Sequence, residues 1–207
     1  PLLQRQPPEG LRHHAQTERQ PQHCVPTHPA AASNARATAS AAARGSVISA
    51  VDLIKGIGLC AGMRSIDVPG ATGTLHTNFV GKAEAAVREL EDGQDFVYLH
   101  IEAPDECGHH YEIEGKVQAI ERIDESVIGT LLPGLERFPD YRLMILPDHP
   151  TPLSIRTHTA EPVPFLIYQK SKPRNSGQAT YDEFSAQAAG LFVENGPALM
   201  RRFLQLD

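Results

Sequence analysis

The chain has 207 residues, of which 41% are hydrophobic and 21% charged, enough for one medium domain with a sizeable core. Its formal charge of −6 argues against nucleic acid as a main partner, because phosphate backbones are held by clustered Lys and Arg. No apolar run reaches the roughly 18 residues that a transmembrane helix needs, and no charged-then-apolar signal pattern opens the chain, so the expected location is the cytoplasm, away from membranes.

Residues 1–44 are rich in Pro, Gln, His and Ala, and Leu2, Leu3, Leu11 and Val25 are their large aliphatics. Such a segment buries too little apolar surface to offset its ordering entropy, so it is expected to be a disordered or non-homologous leader. His13, His14, His23 and His28 lie in this stretch without ligand spacing and read as a solvated tail. The cysteines Cys24, Cys60 and Cys107 are odd in number and lack CxxC spacing, which predicts reduced thiols.

From Gly45 onward the pattern alternates between strand and helix signals. The run 47–51 predicts a short apolar strand or the entry to a helix continuing through Ile54. Strong helix formers over 78–90 predict a helix, and DFVYLHI at 95–101 predicts a buried strand. Residues 112–135 read as one long amphipathic helix with Val117, Ile120, Ile123 and Val127 on its apolar stripe. RLMIL at 142–146 and the run 164–168 predict two further buried strands, and 181–206 one or two helices broken near Gly196–Pro197. The glycines of Lys55-Gly-Ile-Gly and Pro69-Gly-Ala-Thr-Gly fit no nucleotide-binding fingerprint and read as turn formers. The predicted class is α/β, a mainly parallel sheet covered by helices on both faces.

The chemistry lies in where acids and histidines fall. Asp105 and His109 form an Asp-x-x-x-His pair just after the strand ending at Ile101. Asp148 and His149 follow the strand ending at Leu146, and His158 precedes the next. Ligands of open parallel sheets sit where such loops emerge, at the carboxyl ends of strands. One helical turn puts Asp105 and His109 on the same face, able to chelate one ion. The adjacent Asp148 and His149 can reach one ion from an irregular loop or serve two neighbouring ions. Carboxylate and imidazole donors without thiolates suit Mn²⁺ or Zn²⁺ in a working site rather than structural zinc. Two ions roughly 3.5–4 Å apart would clamp both oxygens of an in-line phosphoryl displacement. The plain alternative for each Asp-His pair is a hydrogen-bonded loop. His110 takes no role and is expected to face solvent, and Cys107 lacks a matching base for a catalytic thiol.

The strings VISAVDLIKGIGLCAGM (47–63), VPGATG (68–73), HIEAPDECGHH (100–110), KVQAIERID (116–124) and LPDHPTPLSIRTHTAEPVPF (146–165) closely resemble archaeal-type cofactor-independent phosphoglycerate mutase, a family of the alkaline phosphatase superfamily. The resemblance implies an alkaline-phosphatase-like fold and an isomerase of glycolysis. It would interconvert 3-phosphoglycerate and 2-phosphoglycerate through a phosphoserine, with two divalent ions (Mn²⁺, Mg²⁺ or Zn²⁺). It further implies Asp105, His109 and His158 as ligands of one ion and Asp148 and His149 as ligands of the second. Lys55 resembles the superfamily lysine near the transferred phosphate, with a solvent-facing helix lysine as the alternative. The family's opening strand with Asp-Gly, its serine nucleophile and its inserted domain have no counterpart in these strings. Residues 45–207 are therefore expected to be the C-terminal part of the metal-binding domain, inactive alone, with assembly onto a separately encoded N-terminal half as one alternative. The rival expectations are another phosphohydrolase of the superfamily and a non-catalytic remnant.

Overall fold

The first apolar run divides into strand β1 (Gly45–Ile48) and helix α1 (Asp52–Cys60), so both expectations for it hold in sequence. A computed structural model of the chain describes residues 44–204. The expectations for the leader and its four histidines thus lie outside the described residues, apart from Arg44. After α1 come β2 (Arg64–Ile66), α2 (Phe79–Glu91), β3 (Phe96–Leu99), α3 (Ala103–His110) and α4 (Ile113–Arg122). A π-helical segment (Ile123–Ile128) then leads into α5 (Gly129–Leu135), β4 (Arg142–Ile145), β5 (Leu166–Gln169), α6 (Glu183–Ala189) and α7 (Gly196–Leu204).

Strands β2, β1 and β3 form a parallel sheet in that order, with Ile48 opposite Ile66 and Leu99. Successive strand side chains point to opposite faces, and β1 shows what each face meets. Ile48 packs in a core with Phe79, Ala83, Ala86 and Val87 of α2. Val47 faces α1 on the other side, where a Cβ added to Gly58 would lie 2.5 Å from Val47 Cγ1. Helices therefore cover both faces. The same contact corrects the expectation for Lys55-Gly-Ile-Gly: these residues are inside α1, and Gly58 permits helix–strand approach rather than a turn. Gly70, with φ of 76°, is a turn former as expected. The Asn78 side chain caps α2 by accepting from Gly81 N at 2.9 Å.

Three expectations change in detail. Strand β5 runs antiparallel to β4 in a separate pair, Ile145 opposite Leu166. The segment between them forms no helix, and a parallel return needs a crossover that this segment does not supply. Strands β3 and β4 are only partly buried. The long helix is interrupted: Val117 and Ile120 are 51% and 54% exposed, whereas Val127 is buried. The wider π turn advances the chain by an extra residue, so apolar positions before and after it fall on different faces.

Asp140 fastens the β4–β5 pair. Its carboxylate accepts from Gln169 Nε2 at 2.9 Å, Ser171 Oγ at 2.7 Å and Ser171 N at 2.9 Å. These bonds lower its pKa from 3.8 to about 2. A carboxyl depressed in the folded state stabilises above its unfolded pKa and loses that contribution as pH falls through the folded one. Acidification should therefore loosen the pair between pH 3.8 and about 2, read as the carboxyl carbon shift of Asp140 by NMR. A midpoint near the ordinary value would contradict this.

Candidate metal centre

The carboxyl ends of β3 and β4 both feed the same cluster. α3 starts four residues beyond β3, with Pro104 in its first turn, and presents Asp105 and His109 one turn apart. The loop after β4 supplies Asp148, His149, Thr151 and His158. That loop is folded by its own backbone bonds, Arg156 N to Pro152 O at 2.9 Å and Thr159 N to Pro150 O at 3.1 Å. Lys116 of α4 anchors it from outside, donating to Thr151 O at 2.8 Å.

All five predicted acid and imidazole residues converge. His109 Nε2 lies 3.3 Å from Asp105 Oδ2 and 3.1 Å from His158 Nε2. His158 Nε2 is also 3.3 Å from Asp105 Oδ1, and the tilted rings of His149 and His158 have their centroids 3.7 Å apart. His149 Nε2 is 3.5 Å from Asp148 Oδ2. Asp105, His149 and His158 each bring a ligand atom within 4.8 Å of the others. His149 therefore stands beside the first group as well as beside Asp148, its partner by resemblance.

The hydrogen-bond partners of the imidazoles fix which ring nitrogens carry hydrogen. His109 Nδ1 contacts Arg156 O at 2.9 Å. A carbonyl only accepts, so Nδ1 carries the hydrogen and neutral His109 has a bare Nε2. That lone pair faces the Asp105 carboxylate. Thr151 spends its one hydroxyl hydrogen on Asp105 Oδ1, so its oxygen accepts from His149 Nδ1 at 3.3 Å. His149 Nε2 is then bare as well, and it faces the Asp148 carboxylate. Lone pairs facing carboxylates repel unless a cation or proton lies between them. A cation bound at about 2.0–2.2 Å would set its ligand atoms roughly 3–3.5 Å apart, as His109 Nε2, His158 Nε2 and the Asp105 oxygens nearest them are. The donor set fits divalent metal.

The surroundings are acidic and partly dry. Burial pushes the Asp105 carboxyl up, but the Thr151 bond and His109, His158 and His149 outweigh it and the net shift is downward. Burial, with Glu106 and Asp105 nearby, raises Glu102. Burial raises the Cys107 thiol and Glu112 adds to it, which disfavours a thiolate. His110 is exposed and pairs at 3.9 Å with Glu106. Lys55 is not drawn into the cluster by any of its polar contacts, since its ammonium pairs with Asp67 at 2.7 Å.

Two neighbours carried no signal in the sequence. His100, after β3, contacts Ser49 Oγ through Nδ1 at 3.1 Å and turns Nε2 toward Asp148 Oδ2 at 3.9 Å. Lys82 is fully buried in α2, with its ammonium 3.4 Å from His100 O and 3.5 Å from Thr72 O. Burial lowers its pKa against the pull of Glu102. Only the pairing of β1 with β3 brings Ser49 to His100.

Similar sequences are found in known proteins. A probable 2,3-bisphosphoglycerate-independent phosphoglycerate mutase of Geobacter sulfurreducens is 52% identical over 160 residues, 77% of this chain and 40% of the relative. The 2,3-bisphosphoglycerate-independent phosphoglycerate mutase of Methanothrix thermoacetophila is 52% identical over 159 residues, 76% of this chain and 40% of the relative. This chain thus spans about 40% of the length of these curated relatives. The solved structure of the PH0037 protein from Pyrococcus horikoshii superposes with a TM-score of 0.62 at 32% identity, covering 70% of this chain and 43% of that one. Residues 25–201 match the Metalloenzyme superfamily. With that match over most of its length, and with acids and imidazoles gathered at its strand ends, this chain belongs to the Metalloenzyme superfamily.

Proposed function

We propose that this chain carries the metal-binding part of a cofactor-independent phosphoglycerate mutase, which interconverts 3-phosphoglycerate and 2-phosphoglycerate in the cytoplasm with two divalent ions. The observation that carries the proposal is the meeting of Asp105, His109, Asp148, His149 and His158 with lone pairs facing one another. The resemblance of their strings to relatives bearing that name supports the same reaction.

Asp105, His109 and His158 would hold one ion and Asp148 and His149 the second, with His149 reachable by either group. Bound there, the ions would act as Lewis acids toward phosphoryl oxygens. Thr151 holds Asp105 in place, and Arg156 O and Thr151 Oγ1 fix the tautomers of His109 and His149. Lys55 has no share in this chemistry while it pairs with Asp67.

We further propose that the chain alone does not turn over substrate, because its strings carry no counterpart of the serine and substrate-covering domain that the resemblance implies and it spans about 40% of the length of its relatives. The purified chain, given 3-phosphoglycerate and Mn²⁺ and followed by phosphorus NMR, should bind metal and form no 2-phosphoglycerate. Adding the separately expressed N-terminal region of a relative should restore the isomerisation. Robust turnover by the chain alone would refute its dependence on a second part. Hydrolysis of a generic phosphate ester instead would move the assignment to a phosphohydrolase.

A further inference from the structure

Among the described residues, two that are not glycine have left-handed backbone, Tyr111 at φ of 62° and Arg156 at φ of 53°. A side chain in that region crowds its own backbone, and such strain persists only where surrounding contacts hold it. These residues are far apart in the chain, yet they touch. The Arg156 guanidinium carbon lies over the Tyr111 ring, 4.6 Å from its centroid, within cation–π range.

Each strained residue has a separate task beside His109. Tyr111 ends α3, its N–H bonding back to Gly108 O, and Glu112 N follows with a bond to Cys107 O at 2.8 Å. This is the closing turn in which glycine is the usual residue. Arg156 closes the turn begun at Pro152, and its left-handed backbone aims its carbonyl at His109 Nδ1, 2.9 Å away. The tyrosine ring is thus fixed to the helix bearing His109, and the arginine to the loop bearing His158.

We propose that Tyr111 and Arg156 are positioning residues: their stacked side chains hold the Arg156 carbonyl on His109 Nδ1 and so keep His109 Nε2 bare and aimed into the cluster. The metal consequence rests on the reading above that His109 is a ligand; the tautomer consequence does not. Partners of this kind, bonded to the far nitrogen of a ligating histidine, commonly change metal affinity by about 10–100-fold when removed.

The test uses the full chain and the variants Tyr111→Phe, Tyr111→Leu and Arg156→Gln. Ring nitrogen-15 shifts of metal-free His109 report the tautomer, and Mn²⁺ titration followed by EPR reports affinity. Wild type and Tyr111→Phe should show the hydrogen on Nδ1. Tyr111→Leu and Arg156→Gln should show mixed tautomers and Mn²⁺ binding weaker by about 10-fold or more. An unchanged tautomer in both disrupting variants overturns the proposal, as does a Tyr111→Phe variant that fails as badly as Tyr111→Leu. So does a drop in melting temperature with tautomer and affinity intact. Should wild type bind no Mn²⁺, the metal assignment fails, and the tautomer comparison alone decides the clasp. Arg156→Gln alters an exposed side chain, so it remains informative if Tyr111→Leu does not fold.

Discussion

Replacing Asp105 with alanine should abolish tight Mn²⁺ binding, weakening it on the order of 100-fold or more. Both oxygens of this carboxylate are engaged: Oδ2 with His109, Oδ1 with His158 and Thr151. It is also the one acid in the three-residue group with His149 and His158. Loss of an outer partner alone can cost about 10–100-fold, so loss of the charged donor that two imidazoles share should cost more. Asp105→Asn keeps the volume and an acceptor for Thr151 while removing the charge, so it separates ligation from packing. Calorimetric titration with Mn²⁺ reads both variants, with circular dichroism to confirm folding. If folded Asp105→Ala bound Mn²⁺ like wild type, the cation would have to be held elsewhere.

Gly108→Ala is expected to damage both stability and metal binding, although it improves helix propensity. Gly108 lies in α3 between the two ligands of that helix. A Cβ there would stand 2.8 Å from Thr151 O and 2.9 Å from both Thr151 Cγ2 and Lys116 Nζ. Alanine gains about 1 kcal/mol of intrinsic helix stability. Overpacking a close contact costs about 1–3 kcal/mol, and here one neighbour is backbone that cannot rotate away. Relief comes only by moving the loop, which strains the Lys116–Thr151 bond and the Thr151–Asp105 bond together. The expected result is a lower melting temperature and Mn²⁺ binding weaker by about 10-fold, comparable to losing an outer partner. A higher melting temperature with unchanged affinity would show that propensity wins and that the close approach is not required.

The fold was legible where local pattern and packing agree. The helix α2 appears where its helix formers place it, because it buries the surface its periodicity predicts, and β1 starts two residues before the apolar run that signals it. β2 was not legible, since Arg64 and Ser65 give no strand signal and parallel pairing with β1 alone makes that segment extended. The stripe through Val117 and Ile120 misled for a related reason: periodicity assumes one uniform helix, and the π segment breaks the register.

The sequence by itself determined which groups can ligate: Asp105, His109, Asp148, His149 and His158 are chemically suited to a divalent ion and fall just beyond strands. It could also place Asp105 and His109 on one face, because a helix turn is a local object. Only the tertiary structure decided that His149 borders both groups, that Thr151 and the Arg156 carbonyl set the tautomers, and that Ser49 and His100 back Asp148. It also gave Lys55 to Asp67. Those relations are distances between segments remote in the chain, fixed by strand order and loop packing, and no spacing along the polymer encodes them.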